Sequence, residues 1–153
     1  MRILLICSLI TFTFLLAACV KELPPGTEKN FMRARIDGVL YECDLSVQGS
    51  RKHDTLGLVG FWQPVRGFNF VLMNYRGPGT YRAGNGDNNL FLLTKGFSAD
   101  DTFQADRRQG NENEMIIHTD NNNLLKGTFR FRGISMNGFG KSITEGSFEI
   151  KLQ

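Results

Sequence analysis

The chain has 153 residues, of which 41% are hydrophobic, 22% charged and 11% aromatic. These fractions are typical of a globular domain, and they exclude a fully disordered chain and a collagen-like fibre. The formal net charge of +3, from 18 basic and 15 acidic side chains, is too small to indicate dedicated nucleic-acid binding. The length is that of a single domain.

Residues 1–18 form an apolar segment in which Arg2 is the only charge. A short basic start, an apolar stretch and small residues at its end are typical of a secretory signal peptide. The segment closes with Leu16-Ala17-Ala18-Cys19, which resembles the bacterial lipobox, where a peptidase cleaves before the cysteine and its thiol receives a diacylglyceryl group. We therefore predict lipidation at Cys19. The alternative is an uncleaved anchor helix with an incidental cysteine.

A lipid on Cys19 predicts a location for the protein. Two or more acyl chains hold a protein stably on a bilayer, because each buried methylene contributes about 0.8 kcal/mol. Lys21 replaces the aspartate that retains some lipoproteins in the inner membrane. We predict an outer-membrane lipoprotein facing the periplasm or the cell surface. Residues 19–30, with two prolines and a glycine, predict a flexible tether before one domain at 31–153.

The domain opens with a predicted β-hairpin. Residues 32–36 alternate apolar and charged side chains, and residues 39–45 alternate in the same way. Asp37-Gly38 between them is a strong signal for a two-residue hairpin turn. That turn pairs residues whose numbers sum to 75, which places apolar side chains together on one face. The predicted pairs are Ile36–Val39, Ala34–Tyr41 and Met32–Cys43, with Arg33–Glu42 on the other face.

The next two predicted strands, residues 56–62 and 68–73, are apolar without strict alternation, which is typical of strands covered on both faces. Residues 97–114 allow two interpretations: a short helix capped by Ser98 and continuing through Phe103, or an edge strand at 102–105. An exposed loop at 107–114 follows in either case. Further strands are predicted at 80–83, 90–94, 115–119, 125–131 and 148–152.

Strands with frequent turn signals and no long helix predict an all-β fold. We expect an antiparallel β-sandwich or β-barrel of about 8–10 strands, since the same alternation serves both. With Cys7 in the signal peptide and Cys19 lipidated, Cys43 has no disulfide partner, and its place on the apolar side of a strand predicts a buried hydrophobe.

Two parts of the domain form a recognisable pair of motifs: Phe31–Tyr41 (FMRARIDGVLY), and Leu125–Phe131 (LKGTFRF) followed by Ile143–Phe148 (ITEGSF). Together they resemble small lipoproteins of Bacteroidota that carry a domain of unknown function. Gly79-Thr80-Tyr81 stands where that group has a similar step. The resemblance implies an all-β extracytoplasmic domain, and it implies no activity and no catalytic residue.

Candidate chemistry is sparse. His53 and His118 are the only histidines, so we predict no metal site and no cofactor. Asp100-Asp101 is the only adjacent carboxylate pair and is better explained as a turn or helix start. The asparagine-rich segments 84–89 and 120–123 are explained as turns more simply than as calcium loops. Lys126, Arg130, Arg132 and Lys151 are predicted to share one solvated face.

The aromatic residues Trp62, Tyr75 and Tyr81 are the candidate ligand-binding residues, because their rings offer an apolar face to a sugar. The leading hypothesis is a noncatalytic binding or structural module on the outer membrane. The alternatives are a carrier of a glycan or small ligand near Trp62 and Tyr81, and an inhibitor of a hydrolase presenting loop 107–114. Expected partners are the membrane, through Cys19, and a glycan, small ligand or envelope protein, with no nucleic acid.

Overall fold

The computed structural model describes residues 29–84 and 86–153, so the predicted signal peptide, Cys19 and most of the predicted tether lie outside the described residues. The described chain forms twelve strands: β1 Phe31–Ile36, β2 Val39–Glu42, β3 Ser46–Lys52, β4 Thr55–Gln63, β5 Arg66–Leu72, β6 Gly79–Gly84, β7 Asp87–Asn88, β8 Leu90–Thr94, β9 Thr102–Ala105, β10 Glu114–Asn121, β11 Leu124–Ile134 and β12 Gly140–Lys151. Two single-turn 3-10 helices lie at Ala99–Asp101 and Arg107–Gln109. Every strand pairing is antiparallel, which confirms the predicted all-β antiparallel class.

The predicted first hairpin forms with the predicted register. Asp37 and Gly38 adopt φ values of 50° and 84°, as a tight two-residue turn requires. The pairs are Arg33–Glu42, Ala34–Tyr41, Arg35–Leu40 and Ile36–Val39. One expectation is wrong, because Val39 is 58% exposed and does not join Ile36 in the core. β2 is an edge strand, so its inward side is covered only near its middle.

Nine strands follow one another in the order β2-β1-β12-β11-β9-β8-β5-β4-β3, and the sheet curls into a half-barrel. Strand twist accumulates across a sheet and produces such a curl. The curl brings β3 back to the end of β12, where the Gln153 backbone N–H donates to the Gly49 carbonyl at 3.3 Å. Gly49 leaves room for the side chains at this closure, since an added Cβ would lie 2.8 Å from Leu152 Cδ2 and would force that leucine to move.

The sheet forks at β11. The first part of β11 pairs with β10, which continues to β6 and β7, and its last two residues pair with β9. β9 therefore lies between β8 and β11, and 102–105 is an interior strand rather than an edge strand. The helix starting after Ser98 also forms, as a single turn that ends at Asp101. The helix is therefore shorter than predicted, since Phe103 belongs to β9, and the strand at 102–105 forms but is wrong as an edge strand.

Phenylalanine rings fill the concave side of the sheet. Phe70 lies at their centre, with ring centroids 5.4 Å from Phe91, 4.8 Å from Phe129 and 6.1 Å from Phe131. The fully buried large side chains of this core are Phe68, Phe70, Phe91, Phe131, Phe148, Met32, Leu56, Leu58, Leu72, Leu93, Met115 and Ile117. The interior is thus occupied by side chains, as in small closed or nearly closed sheets.

The prediction that β4 and β5 are covered on both faces is wrong for one face. Leu56, Leu58, Phe68 and Phe70 point inward and are fully buried. The alternate residues on the outer face remain partly exposed. The described chain therefore covers these two strands on the inner side alone.

Candidate functional site

Trp62 closes one end of the core. It lies where β4 leads into the turn to β5, half-buried, with its ring 5.1 Å from Tyr41 and 5.3 Å from Phe68. The Lys95 ammonium group stands 5.9 Å above the Tyr41 ring. This arrangement caps the phenylalanine core with aromatic side chains that have one polar edge each.

Tyr75 and Tyr81 stack on each other at 5.3 Å, and both hydroxyls are already engaged. The Tyr75 hydroxyl donates to Asp120 Oδ2 at 2.8 Å, and the Tyr81 hydroxyl donates to the Gly77 carbonyl at 2.7 Å. Arg51 lies over the Tyr75 ring and pairs with Asp120. Burial raises the pKa of Tyr75, and the hydrogen bond to Asp120 raises it further. This pair of tyrosines closes the core, and both hydroxyls are used within the protein instead of binding a ligand.

The structure does not bring the three predicted ligand-binding aromatics together. Tyr75 sits beside the turn between β3 and β4, where its N–H donates to the Asp54 carbonyl at 2.7 Å. Trp62 lies at the other end of β4, about 20 Å away by the rise of a strand. A single site formed by Trp62, Tyr75 and Tyr81 is therefore excluded by their positions, and the two tyrosines hold loops to the sheet.

Cys43 is a buried core residue, as predicted. It is 4% exposed, its N–H donates to the Met32 carbonyl at 2.8 Å, and it is the free cysteine of the described residues. Burial, together with the nearby Asp44, raises the pKa of the thiol to about 12. The reactive species is the thiolate, so the folded protein holds this sulfur in its unreactive form.

We expect Cys43 to resist alkylation while the protein is folded. At pH 8 an ordinary thiol, with a pKa of about 8.5, is partly ionised, whereas a thiol with a pKa of about 12 is almost fully protonated. Iodoacetamide labelling of the peptide containing Cys43, followed by mass spectrometry, should be at least a hundredfold slower in buffer than in denaturant. Equal rates in the two conditions would show that the thiol is accessible.

The predicted exposed loop at 107–114 is held in place by a buried asparagine. Asn113 is fully buried, and its side-chain amide donates to the carbonyls of Asp106 at 2.7 Å and Ala83 at 3.2 Å. Its side-chain oxygen accepts from the Arg132 N–H at 2.9 Å. The prediction of an exposed loop is wrong at the Asn113 end of the segment, because Asn113 is hydrogen-bonded to β6 and β11.

The remaining candidate residues occupy ordinary positions. His118 is exposed on β10, 3.1 Å from the Thr128 hydroxyl, and His53 lies in a turn with φ 54°. The Asp120 carboxylate serves Arg51 and Tyr75. Within residues 29–84 and 86–153, no three His, Cys, Asp or Glu side chains lie close enough to hold a metal ion.

Three rows without charged side chains cross the outer side of five neighbouring strands, and we call this surface the neutral face. It consists of outward residues of β3, β4, β5, β8 and β9, which are Ser46, Gln48, Ser50, Gly57, Val59, Phe61, Gly67, Asn69, Val71, Leu90, Leu92, Thr94, Thr102 and Gln104. The register aligns them in the three rows that run across the strands. Lys52, the last outward residue of β3, pairs with Thr55 and lies beyond these rows at one corner of the surface. Apolar side chains lie on β4, β5 and β8, with amides and hydroxyls around them.

The neutral face is only partly shielded from water. Val59, Phe61, Val71, Leu90 and Leu92 are half-buried by one another and by their polar neighbours. At the two ends of this face Phe97, in the loop between β8 and β9, is 90% exposed and Met73 is 42% exposed. An apolar surface of this kind, rimmed by polar residues, is typical of an interaction site.

The other half of the outer surface is charged. Lys126 and Glu149 pair at 2.9 Å on β11 and β12, and Arg130 and Glu114 pair at 2.9 Å on β11 and β10. The remaining ion pairs of this half are Arg33–Glu42, Arg35–Glu145, Arg82–Glu114 and Lys141–Asp37. Lysine 141 donates to Asp37 and lowers the pKa of that carboxyl. The basic residues predicted to share one face, Lys126, Arg130, Arg132 and Lys151, all lie on the outer side of β11 and β12, where ion pairs engage Lys126 and Arg130.

One feature of the sequence could have indicated the apolar part of the neutral face. β4 and β5 carry apolar residues on both faces, which predicts two covering layers, and the described chain supplies one. The polar part of the neutral face could not be predicted from the sequence, because serine, threonine and amide residues are common on any exposed strand. Only the pairing of β5 with β8 and of β8 with β9 puts those residues beside Val59 and Phe61.

No family model, curated protein or solved structure matches this chain. Among the described residues, no helix has the length and apolar character needed to cross a bilayer.

Proposed function

We propose that this protein is a noncatalytic binding module of the bacterial envelope, anchored at the outer membrane by lipid on Cys19, which binds its partner through the neutral face. The observation that carries the proposal is the one-sided cover of β4 and β5. Their outer side carries the apolar residues Val59, Phe61 and Val71, which the described chain leaves partly exposed. A bound partner would remove this surface from water, with a gain of about 25 cal/mol per Å².

The absence of charge favours binding over simple solvation. A solvated sheet face in this same protein, on β10, β11 and β12, is dense in ion pairs. Charged residues are depleted at the centre of interaction surfaces because they are costly to desolvate. The composition of the neutral face is therefore that of a surface which can be desolvated at low cost when a partner binds.

The predicted tether is long enough for a domain anchored at Cys19 to bind a partner through the neutral face. Asn30, among the first described residues, is bound through its side-chain oxygen to the Lys151 N–H at 2.8 Å, next to the end of β12. The predicted tether ahead of it extends by up to about 3.3 Å per residue. A lipid on Cys19 would leave the domain free to turn the neutral face away from the bilayer.

The interior favours binding at the surface over transport of a ligand inside the sheet. A carrier needs an internal cavity, and the described interior is packed with fully buried phenylalanine rings. Trp62 is the chain's single tryptophan and lies at one end of that core. A ligand bound there would change its fluorescence, whereas a partner on the neutral face would not touch it.

Photocrosslinking in the native bacterium tests the proposal. A diazirine amino acid is placed at Asn69, in the middle of the neutral face, and in a second strain at Thr144, an exposed residue of β12 on the charged half. We expect an adduct from position 69 and none from position 144. The diazirine inserts into C–H, N–H and O–H bonds, so it captures a protein or a glycan alike.

A charge placed on the neutral face provides the matched loss of function. Leu92→Lys should abolish the adduct at position 69 while the thermal unfolding midpoint shifts by only a few degrees, because the long side chain keeps its ammonium group in water. Equal adducts from positions 69 and 144, or no adduct from position 69, would contradict the proposal.

A further inference from the structure

The middle row of the neutral face carries three amides at regular intervals. The register places Gln48, Val59, Asn69, Leu92 and Gln104 side by side on β3, β4, β5, β8 and β9. Neighbouring strands lie about 4.8 Å apart, so the amides recur about every 9.6 Å across the sheet. Each amide offers both a donor and an acceptor, and an aliphatic side chain fills each gap between two amides.

The neighbouring row adds an aromatic ring and hydroxyls. It consists of Ser46, Phe61, Gly67, Thr94 and Thr102. The Phe61 ring leans over Gly67, where an added Cβ would lie 2.7 Å from Phe61 Cδ1. The same Cβ would lie still closer to the Gly60 carbonyl oxygen, so the backbone of β4 as well as the ring requires a glycine here. The third row, with Ser50, Gly57, Val71 and Leu90, repeats the combination of hydroxyl and aliphatic groups.

We infer that the neutral face binds an uncharged polysaccharide that lies across the strands, an inference that rests on the proposed function. A sugar ring has an apolar face of C–H groups and a rim of hydroxyls that both donate and accept hydrogen bonds. The first matches Phe61, Val59 and Leu92, and the second matches the row of amides and the flanking hydroxyls. The absence of charge on the face selects a ligand without carboxylate, sulfate or phosphate groups.

The size and shape of the neutral face favour a polysaccharide over a folded protein. Five strands span about 19 Å, and three rows span about 14 Å along the strands, so the surface is roughly 400 Å² once side-chain widths are included. A stable protein interface buries about 800 Å² on each partner. The face is also the convex side of a curled sheet. Two such convex faces touch over a small area, which argues against a second copy of this chain.

The composition supports the same choice. Protein interfaces are enriched in arginine and aromatic residues and depleted in serine. The neutral face has two serines, one aromatic residue and no arginine. Its seven hydroxyl and amide side chains, Ser46, Gln48, Ser50, Asn69, Thr94, Thr102 and Gln104, are instead the groups that satisfy the many hydroxyls of a neutral sugar chain.

Analysis of the photocrosslinked adduct identifies the chemistry of the partner. The full-length protein with the diazirine at Asn69 is irradiated in its native bacterium and purified in a polyoxyethylene detergent, which contains no sugar. One half of the adduct is treated with anhydrous trifluoromethanesulfonic acid, which cleaves glycosidic bonds and leaves peptide bonds intact. The other half is digested with trypsin and analysed by mass spectrometry. We expect the acid to remove the added mass except for the one sugar unit bonded directly to the diazirine carbon, and we expect the sugars to be uncharged.

Two variants connect the adduct to the row of amides. Gln48→Leu combined with Gln104→Leu keeps the side-chain volume and removes two hydrogen-bonding groups, so the adduct yield should fall about tenfold. Thr144→Val on the charged half is the matched control and should leave the yield unchanged.

Each other outcome has a distinct meaning. An adduct that survives the acid and contains peptides of a second protein would overturn the polysaccharide inference and leave the proposed function standing. An adduct made of uronic acids or sulfated sugars would overturn the choice of a neutral ligand. No adduct at position 69 would overturn both the inference and the proposed function.

Discussion

Replacing Phe70 with alanine is expected to lower the free energy of unfolding by about 3–5 kcal/mol. Phe70 is fully buried, and its ring packs against Phe68 of the same strand, Phe91 of β8, and Phe129 and Phe131 of β11. Truncation removes the burial of the ring and leaves a cavity that the surrounding curled sheet cannot close. The measurement is urea denaturation followed by circular dichroism, with the midpoint and the slope fitted together.

The matched control for Phe70→Ala is Phe97→Ala. Phe97 is 90% exposed, so its truncation should change the free energy of unfolding by less than about 0.5 kcal/mol. Two variants of the same chemistry should thus differ by several kcal/mol. If Phe70→Ala cost less than about 1 kcal/mol, the ring cluster would not be the centre of the core.

Replacing Asn113 with alanine should cost about 3 kcal/mol, the second largest effect. The substitution leaves two buried carbonyls, of Asp106 and Ala83, and the Arg132 N–H without their partner. Each unsatisfied buried group costs about 1–3 kcal/mol unless water enters to replace the side chain. Urea denaturation measures the loss of stability. Hydrogen exchange should show faster exchange confined to residues 106–113 and the end of β11.

Asn121→Ala is the control for the asparagine. Asn121 is exposed at the end of β10, so its replacement should stay within about 0.5 kcal/mol of the parent protein. An Asn113→Ala variant with unchanged stability and unchanged exchange would show that segment 107–113 is held by other contacts. The hydrogen bonds of Asn113 would then be incidental to the fork of the sheet at β11.

The two halves of the outer surface differ in their proposed roles: one stays hydrated, and the other binds a partner. The charged half, on β1, β10, β11 and β12, is satisfied by its own ion pairs and by water. Such exposed pairs add little stability each, but they keep that surface hydrated. The neutral half carries the apolar residues of β4, β5 and β8. Introducing a charge at Leu92 is therefore expected to affect binding far more than folding.

Local features of the fold followed from the sequence because they depend on neighbouring residues. The Asp37-Gly38 turn needs positive φ at both positions, and that requirement alone set the pairing of Ile36 with Val39 and Arg33 with Glu42. The alternation in β12 predicted its buried side, and Phe148 and Ile150 are buried as expected. The alternation of residues 39–45 likewise predicted that Cys43 lies in the core, and Cys43 is buried.

Positions that depend on distant strands were not predictable in this way. Trp62, Tyr75 and Tyr81 share a residue class, but strand direction carries them to opposite ends of the sheet, where they close the core. Asn113 lay in a polar stretch that predicted an exposed loop. It is buried because β6 and β11 both pass beside it and need its amide.

The all-β class, the first hairpin and the inward side of most strands could be predicted from the sequence, because side-chain alternation and turn geometry are local properties. The order of the strands, the fork at β11 and the neutral face depend on how distant segments pack together. Backbone hydrogen bonds between strands are the same for any pair of neighbours, so alternation states which side of a strand is buried and leaves open what lies beside it. The neutral face exists because β3, β4, β5, β8 and β9 are neighbours, and that neighbourhood is set by how the whole sheet packs around its phenylalanine core.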